Sequence, residues 1–314
     1  MNDRYVVLGA SGGVGRALVA ALAAEGRTTR AVARQAPERS GAAEWMAVDL
    51  STPEGARRAC AGAAVVFHAA QPPYHRWPEE FPALTANVVR AASEAGAKLV
   101  MVDNLYMYGP TRGSLVETLP RAATGRKGLV RVEMERQLLD AHASGALRVA
   151  IGRLSDYFGP HGPNSTLTVL VLEPAARGKA MRWPGSTTAP RTVHFLDDAA
   201  RGLLVLADQP AADGEVWHLP AAPAITGAEF MALVNQCLPA AVKTGSLGTL
   251  AMRIGGLFSK EAKETVECMY QWTDPFVADH SKFTAAFGPL AVTPHADAVA
   301  ATIQSMRTGP TGTT

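Results

Sequence analysis

Lys127, Arg131 and Glu135 stand at steps of four in TGRKGLVRVEME, residues 124–135. On a helix that spacing stacks the three charges along one face. A solvated stripe has the same pattern, so its chemistry depends on what stands upstream. In GASGGVG, Gly9, Gly12 and Gly15 recur every third residue, with Ser11, Gly13 and Val14 between them. Glycines in a turn that opens a helix let backbone approach a pyrophosphate. The helix N-terminus adds N–H donors and a positive dipole. A glycine-rich turn without a ligand is the plain alternative. Arg34 closes the second apolar run, where an NAD site usually places an acid for the ribose hydroxyls. An arginine there suits a 2′-phosphate, which favours NADP(H) over NAD(H).

The elements that must position these residues alternate. RYVVLGA (4–10) is a short valine-rich run, and VGRALVAALAAEG (14–26) has helical spacing and a terminal glycine. Further strands are predicted over 28–34, 44–50, 63–70, 97–104, 147–154 and 215–220. Helices are predicted over 84–97, 128–145, 194–207, 226–238 and 260–272, and loops over 158–166 and 182–192. Repeated βα units predict an α/β fold, a Rossmann-type doubly wound parallel sheet with helices on both faces. Residues 1–154, together with roughly 192–220, are expected to bind the cofactor. Residues 155–307 are expected mainly to form a smaller C-terminal cap over the carboxyl ends of the strands, where ligands bind in such sheets. The tail 308–314 is expected to fray.

The G-x-x-G-x-x-G spacing resembles that of the short-chain dehydrogenase/reductase superfamily, in its extended, epimerase/dehydratase-like branch. Other landmarks follow in the same order. Asp49-Leu50 resembles the pair that contacts adenine. His68-Ala69-Ala70 resembles the small-residue segment lining the cofactor, with Gln71 beside it toward the substrate. Tyr108-Gly109, RLSDYFGP (153–160) and RTVHFLDDAA (191–200) resemble later landmarks. In this family a serine or threonine, a tyrosine and a lysine do the chemistry. The tyrosine and lysine stand four apart as Tyr-Gly-x-x-Lys-x-x-x-Glu. Here the frame is kept by Gly128 and Glu135, but Lys127 stands for the tyrosine, Arg131 for the lysine and Asn104 for the serine.

The resemblance implies roles that the substitutions reshape. Arg131 can reach ribose hydroxyls through its several donors. Asn104 can donate its amide to a substrate oxygen. Lys127 keeps its proton to about pH 10.4 when free, so proton transfer near neutrality would need burial or neighbouring cations. Tyr106, two residues past Asn104, is the alternative acid. Tyr108 matches a packing tyrosine that borders the substrate. Asp156 falls where relatives hold a substrate-binding asparagine, with Tyr157 next to it, and a structural carboxylate is the alternative. Arg191 matches an arginine that grips phosphate in sugar-nucleotide enzymes, but the rest of that signature is missing. His68 is expected in the core or against the cofactor, and His194 and Asp198 at a loop–helix junction. PPYHRWPEEF (72–81), with Trp183 and Trp272, offers an aromatic rim.

The totals narrow the classes. The chain has 314 residues, 47% hydrophobic and 18% charged, with net charge +2. That composition is globular, and no basic block points to nucleic acid or an anionic membrane. Cys60, Cys237 and Cys268 lack metal spacing and read as reduced thiols in a cytoplasmic protein. The N-terminus lacks a signal-peptide pattern, and no apolar run reaches spanning length. A homodimer through the two long helices is implied by the resemblance. The expected function is an NADP(H)-dependent oxidoreductase for a small organic carbonyl, imine or enone. A redox-inactive NADP(H)-binding sensor or partner protein is the rival, followed by a non-redox isomerase or cyclase on the same scaffold.

Overall fold

A computed structural model of the chain describes residues 4–35, 44–162, 165–248, 264 and 266–308. The strands are β1 (Tyr5–Leu8), β2 (Thr29–Ala33), β3 (Glu44–Ala47), β4 (Val65–His68), β5 (Lys98–Asp103), β6 (Arg148–Arg153), β7 (Tyr157–Phe158), β8 (Met181–Pro184), β9 (His194–Phe195), β10 (Glu215–His218) and β11 (Thr244–Leu247). The helices are α1 (Gly13–Ala24), α2 (Pro53–Cys60), α3 (Trp77–Glu94), α4 (Arg126–Ala143), α5 (Glu173–Ala176), α6 (Leu196–Asp208), α7 (Gly227–Gln236), α8 (Tyr270–Thr273), α9 (Ser281–Phe287) and α10 (His295–Thr308).

Seven strands form one parallel sheet in the order β10-β6-β5-β4-β1-β2-β3. Every residue of β2 and β4 is buried, as a strand covered on both faces requires. One face packs against α2, α3 and α4 through residues such as Val66, Ala59, Val88 and Met134. The other packs against α1 and α6 through Leu18, Phe67, Ala199 and Leu203. The chain reverses its winding between β1 and β4, and the crevice for a ligand opens at that switch point.

The cap has its own apolar cluster, built from Phe158, Met181, Trp183, Phe230, Trp272 and Val299 among others. Two small parallel pairs, β8 with β11 and β7 with β9, brace it. α7 begins with a capping box in which Thr226 and Glu229 satisfy each other's backbone N–H.

Several boundaries differ from the sequence pattern. α3 starts at Trp77 rather than 84, because Pro78 is tolerated in a first turn and Glu79 and Glu80 favour the positive helix end. Pro82 lies inside that helix and forfeits one backbone bond. The predicted loop 182–192 begins as strand β8. Of the helix predicted over 260–272, residues 260–263 and 265 lie outside the described residues, as does the expected frayed tail beyond Thr308. The described remainder holds a 3-10 turn at Val266–Cys268 and the short α8. No described helix is long and apolar enough to cross a membrane.

Candidate active site

The glycine turn shapes one end of a cleft of about 760 Å³ that runs along the carboxyl edge of the sheet. Gly9 has φ +81°, and a Cβ there would lie 2.6 Å from the Ala70 backbone. A Cβ on Gly15 would lie 2.2 Å from the Gly9 carbonyl oxygen. Both glycines are therefore required by the fold itself. Gly12 differs: a Cβ there meets only the Gly9 oxygen, at 3.3 Å, and otherwise points into open space. It is the N-cap of α1, whose first-turn N–H groups have no intrahelical acceptor. The backbone at Gly12 is thus open to the cleft, as the approach of a phosphate group to a helix N-terminus requires. Ser11, Gly13 and Val14 complete this wall. Further along, Arg34 is exposed at the end of β2, opposite Asp49 and Leu50. The Ser51 N–H holds the Asp49 carboxyl below its ordinary pKa, with Arg34 adding to the effect. Ala69, Ala70 and Gln71 form the opposite wall.

The other end is aromatic and charged. Arg131 projects from α4 and is nearly buried, with its guanidinium 4.4 Å from the Trp77 ring centre and 4.7 Å from that of Phe81. Its Nη1 donates to Asp103 Oδ1 at 3.2 Å, while its buried Nε has no partner. Burial lowers the Arg131 pKa, with Asp103 pulling the other way. Asp103 is shared with the fully buried Arg153, which donates to it at 3.0 Å and to Glu135 at 2.6 Å. Glu135 also receives Arg121. The carboxyl of Glu135 stays below its usual pKa because these arginines outweigh its burial.

Asn104 follows β5, and its Oδ1 accepts the Tyr106 N–H at 3.0 Å. That bond leaves the amide NH₂ as the donor Asn104 can turn to the cleft. The Tyr106 phenol lines the cleft, and burial pushes its pKa well above the ordinary value. Asp156 enters from the cap side, clamped by Arg191. Burial raises its carboxyl pKa despite that partner. Tyr157, Tyr74 and Gln271 complete this end.

Residues 5–219 match the profile of the NAD dependent epimerase/dehydratase family. The chain belongs to that family. Its cofactor is accordingly a nicotinamide dinucleotide, and the chain is an NAD(P)-dependent enzyme. Among curated proteins, the ceramide reductase of Caulobacter vibrioides is 29% identical over 229 residues. That match takes in 67% of this chain and 66% of the relative, just under two thirds of the latter's length. Among solved structures, MoeE5 in complex with UDP-glucose and NAD is 21% identical, with TM-score 0.78 over 97% of this chain and 98% of that one. The UDP-glucuronic acid 4-epimerase of Bacillus cereus in complex with NAD is 15% identical, with TM-score 0.80 over 99% and 98%. At these identities the two structures establish a shared fold.

The cleft gathers most of the residues singled out from sequence, from Gly9 to Arg131, with Asn104, Tyr106, Asp156 and Tyr157. It does not gather Lys127, Tyr108, Arg191, His68, Trp183 or Trp272. Lys127 is fully buried, and its Nζ pairs with Glu264 at 2.6 Å and donates to the Tyr74 carbonyl at 2.5 Å. Its charge is satisfied behind the wall, off the cleft lining. Tyr108 is fully buried, donating to His218 Nε2 at 2.8 Å and receiving Arg153 at 2.7 Å. Arg191 sits over the Trp272 ring at 3.3 Å and is held by Asp156 and the Gln271 carbonyl, with its buried Nε unpartnered, so it stands within the cap rather than on the cleft. His68 sits in the core beneath the cleft, 6.2 Å from Phe81. Trp183 and Trp272 pack on each other inside the cap rather than on the rim.

His194 and Asp198 hold a junction. His194 Nδ1 accepts the Ser155 N–H and its Nε2 faces the Leu219 carbonyl. Asp198 accepts from Thr293 and Arg201. Asp103 and Tyr74 were not singled out individually. An acid ending an otherwise apolar strand directly before Asn104 was the available signal for Asp103. Tyr74 lay in the aromatic run 72–81 without any feature to raise it above its neighbours.

Proposed function

We propose that this chain is an NADP(H)-dependent oxidoreductase acting on a small organic carbonyl, imine or enone. The observation that carries the reading is continuity: one cleft joins the glycine turn, Arg34, Asn104, Tyr106 and Arg131. A bound nicotinamide supplies a hydride donor or acceptor. The first-turn amides of α1 hold the pyrophosphate. Arg34 meets the 2′-phosphate, and Arg131, which lines the cleft, serves the nicotinamide-side ribose. Asn104 donates its NH₂ to the substrate oxygen, and Tyr106 gives up or receives the proton. Its raised pKa keeps the phenol protonated until negative charge develops beside it. The reductase name of the Caulobacter relative supports carbonyl reduction as the direction.

Fluorescence titration with NADPH and NADH tests the cofactor half. NADPH should bind more tightly, and Arg34→Ala should remove about 1.5–3 kcal/mol of that preference. Equal binding of the two, or an unchanged preference in the variant, overturns it. A second reading, a redox-inactive NADP(H)-binding protein, is favoured by the burial of Lys127 at the family's tyrosine position. Tight NADPH binding with no oxidation of it by any carbonyl, imine or enone in a broad panel would select that reading.

A further inference from the structure

Three distant stretches of chain meet at Lys127. Its Nζ donates to the Tyr74 carbonyl and lies 4.6 Å from the centre of the Tyr74 ring. The same Nζ pairs with Glu264. Three residues on, Glu267 Oε2 accepts the Arg126 N–H at 3.0 Å and its Oε1 accepts the Lys127 N–H at 2.8 Å. These are first-turn amides of α4, where an acid is favoured by the helix dipole. Next in the chain, Cys268 places its Sγ 3.7 Å from the Tyr74 hydroxyl. Tyr74 then stands edge-on to Trp77 at 4.8 Å, and Trp77 supports Arg131. Tyr74 and Tyr106 line the same cleft.

We propose that Lys127 is a positioning residue: with Glu264 and Glu267 it latches the cap at 264 and 266–268 onto α4 and fixes Tyr74 as the substrate-side wall of the cleft. The proposal rests on the cleft being the ligand site, but the latch itself is read without any ligand. A lysine with no exposed surface is retained in such a place only if its charge is matched, and Glu264 and the Tyr74 carbonyl match it. Removing either partner leaves the other without its counterpart, so the segment swings free and Tyr74 loses its support.

Thiol labelling of the folded protein reads this directly. Cys60 and Cys268 are both buried, and burial pushes both thiols up to about 12. Cys60 ends α2 with its side chain in the main core and serves as the internal control. The native protein is pulsed with N-ethylmaleimide and each cysteine is quantified by peptide mass spectrometry. In Glu264→Gln and in Lys127→Met, Cys268 should label faster by on the order of tenfold or more, while Cys60 keeps its native rate. Lys127→Met places the change at the centre of the latch. Glu264→Gln touches a partly exposed side chain and keeps the test open if the first variant does not fold. Protection of Cys268 in folded Glu264→Gln, or acceleration only in step with Cys60, overturns the latch. Failure of the wild type to bind NADPH would count against the proposed function and leave the labelling result intact.

Discussion

At the scale of single residues, two side chains one turn apart on α4 have opposite fates. Arg131 lines the cleft, while Lys127 is spent on Glu264 and Tyr74. Arg131→Ala should therefore weaken NADPH binding in a fluorescence titration by at least about tenfold, since a lost charge-assisted bond costs about 1.5–3 kcal/mol. Tyr106→Phe should lower turnover by about 10²–10⁴-fold with little change in NADPH affinity, as loss of a general acid does. Full turnover in that variant would remove Tyr106 from proton transfer. The step of four was legible in the sequence and put both cations on the helix face that borders the site. Which of them faces the cleft was not legible. That depends on an acid far along the chain, in a segment with no motif of its own. Arg191 shows the same limit, since its partner Asp156 was visible as a candidate but their mutual clamp was not.

Among the elements, α1 and α4 carry the site. The two glycines at the start of α1 separate fold from binding. Gly15→Ala should fail to fold or melt far below the wild type, because its Cβ would overlap the Gly9 oxygen. Gly12→Val should fold, since its side chain enters open space, yet should lose NADPH binding because it fills the pyrophosphate cradle. Thermal melts paired with cofactor titration distinguish the two outcomes, and a folded Gly12→Val that still binds NADPH would mean the turn is only a turn. α4 is tied to β5 and β6 through Glu135, Arg153 and Asp103. Glu135→Gln leaves the fully buried Arg153 short of charge and should cost about 3–5 kcal/mol in urea unfolding. The alternation of strands and helices was legible because parallel strands are apolar runs and α1 carries a helical period. The start of α3 was hidden by its prolines, and β8 by a loop-like composition that pairing with β11 overrides.

Across the whole molecule, buried histidines set how acid is tolerated. His68 lies in the sheet, His194 at the cap junction and His218 on the last strand. Burial lowers their pKa values from 6.5 to about 3, about 4 and about 3. Between these values and 6.5 the unfolded chain binds protons that the folded one refuses, so stability falls as pH falls through that window. Each histidine contributes up to about 1.36 kcal/mol per pH unit there, and nothing above it. Asp156, shifted upward, works against the trend at the acid end. Urea midpoints should hold near pH 7 and drop steadily below about pH 6.5, and a flat profile would contradict the buried, neutral imidazoles. The sheet's last strand also has a temporal meaning. β10 pairs with β6 only after the chain has gone out through β7, β8 and β9 and returned, and α6 covers α1 on the same return journey. A ribosome that has delivered only the first half has therefore made a sheet with a bare β6 edge and a stripped face. Such a nascent chain waits, adhesive and incomplete, until residues beyond His218 emerge. A fragment cut after Leu154 should be recovered as aggregate rather than as a free-standing cofactor-binding piece.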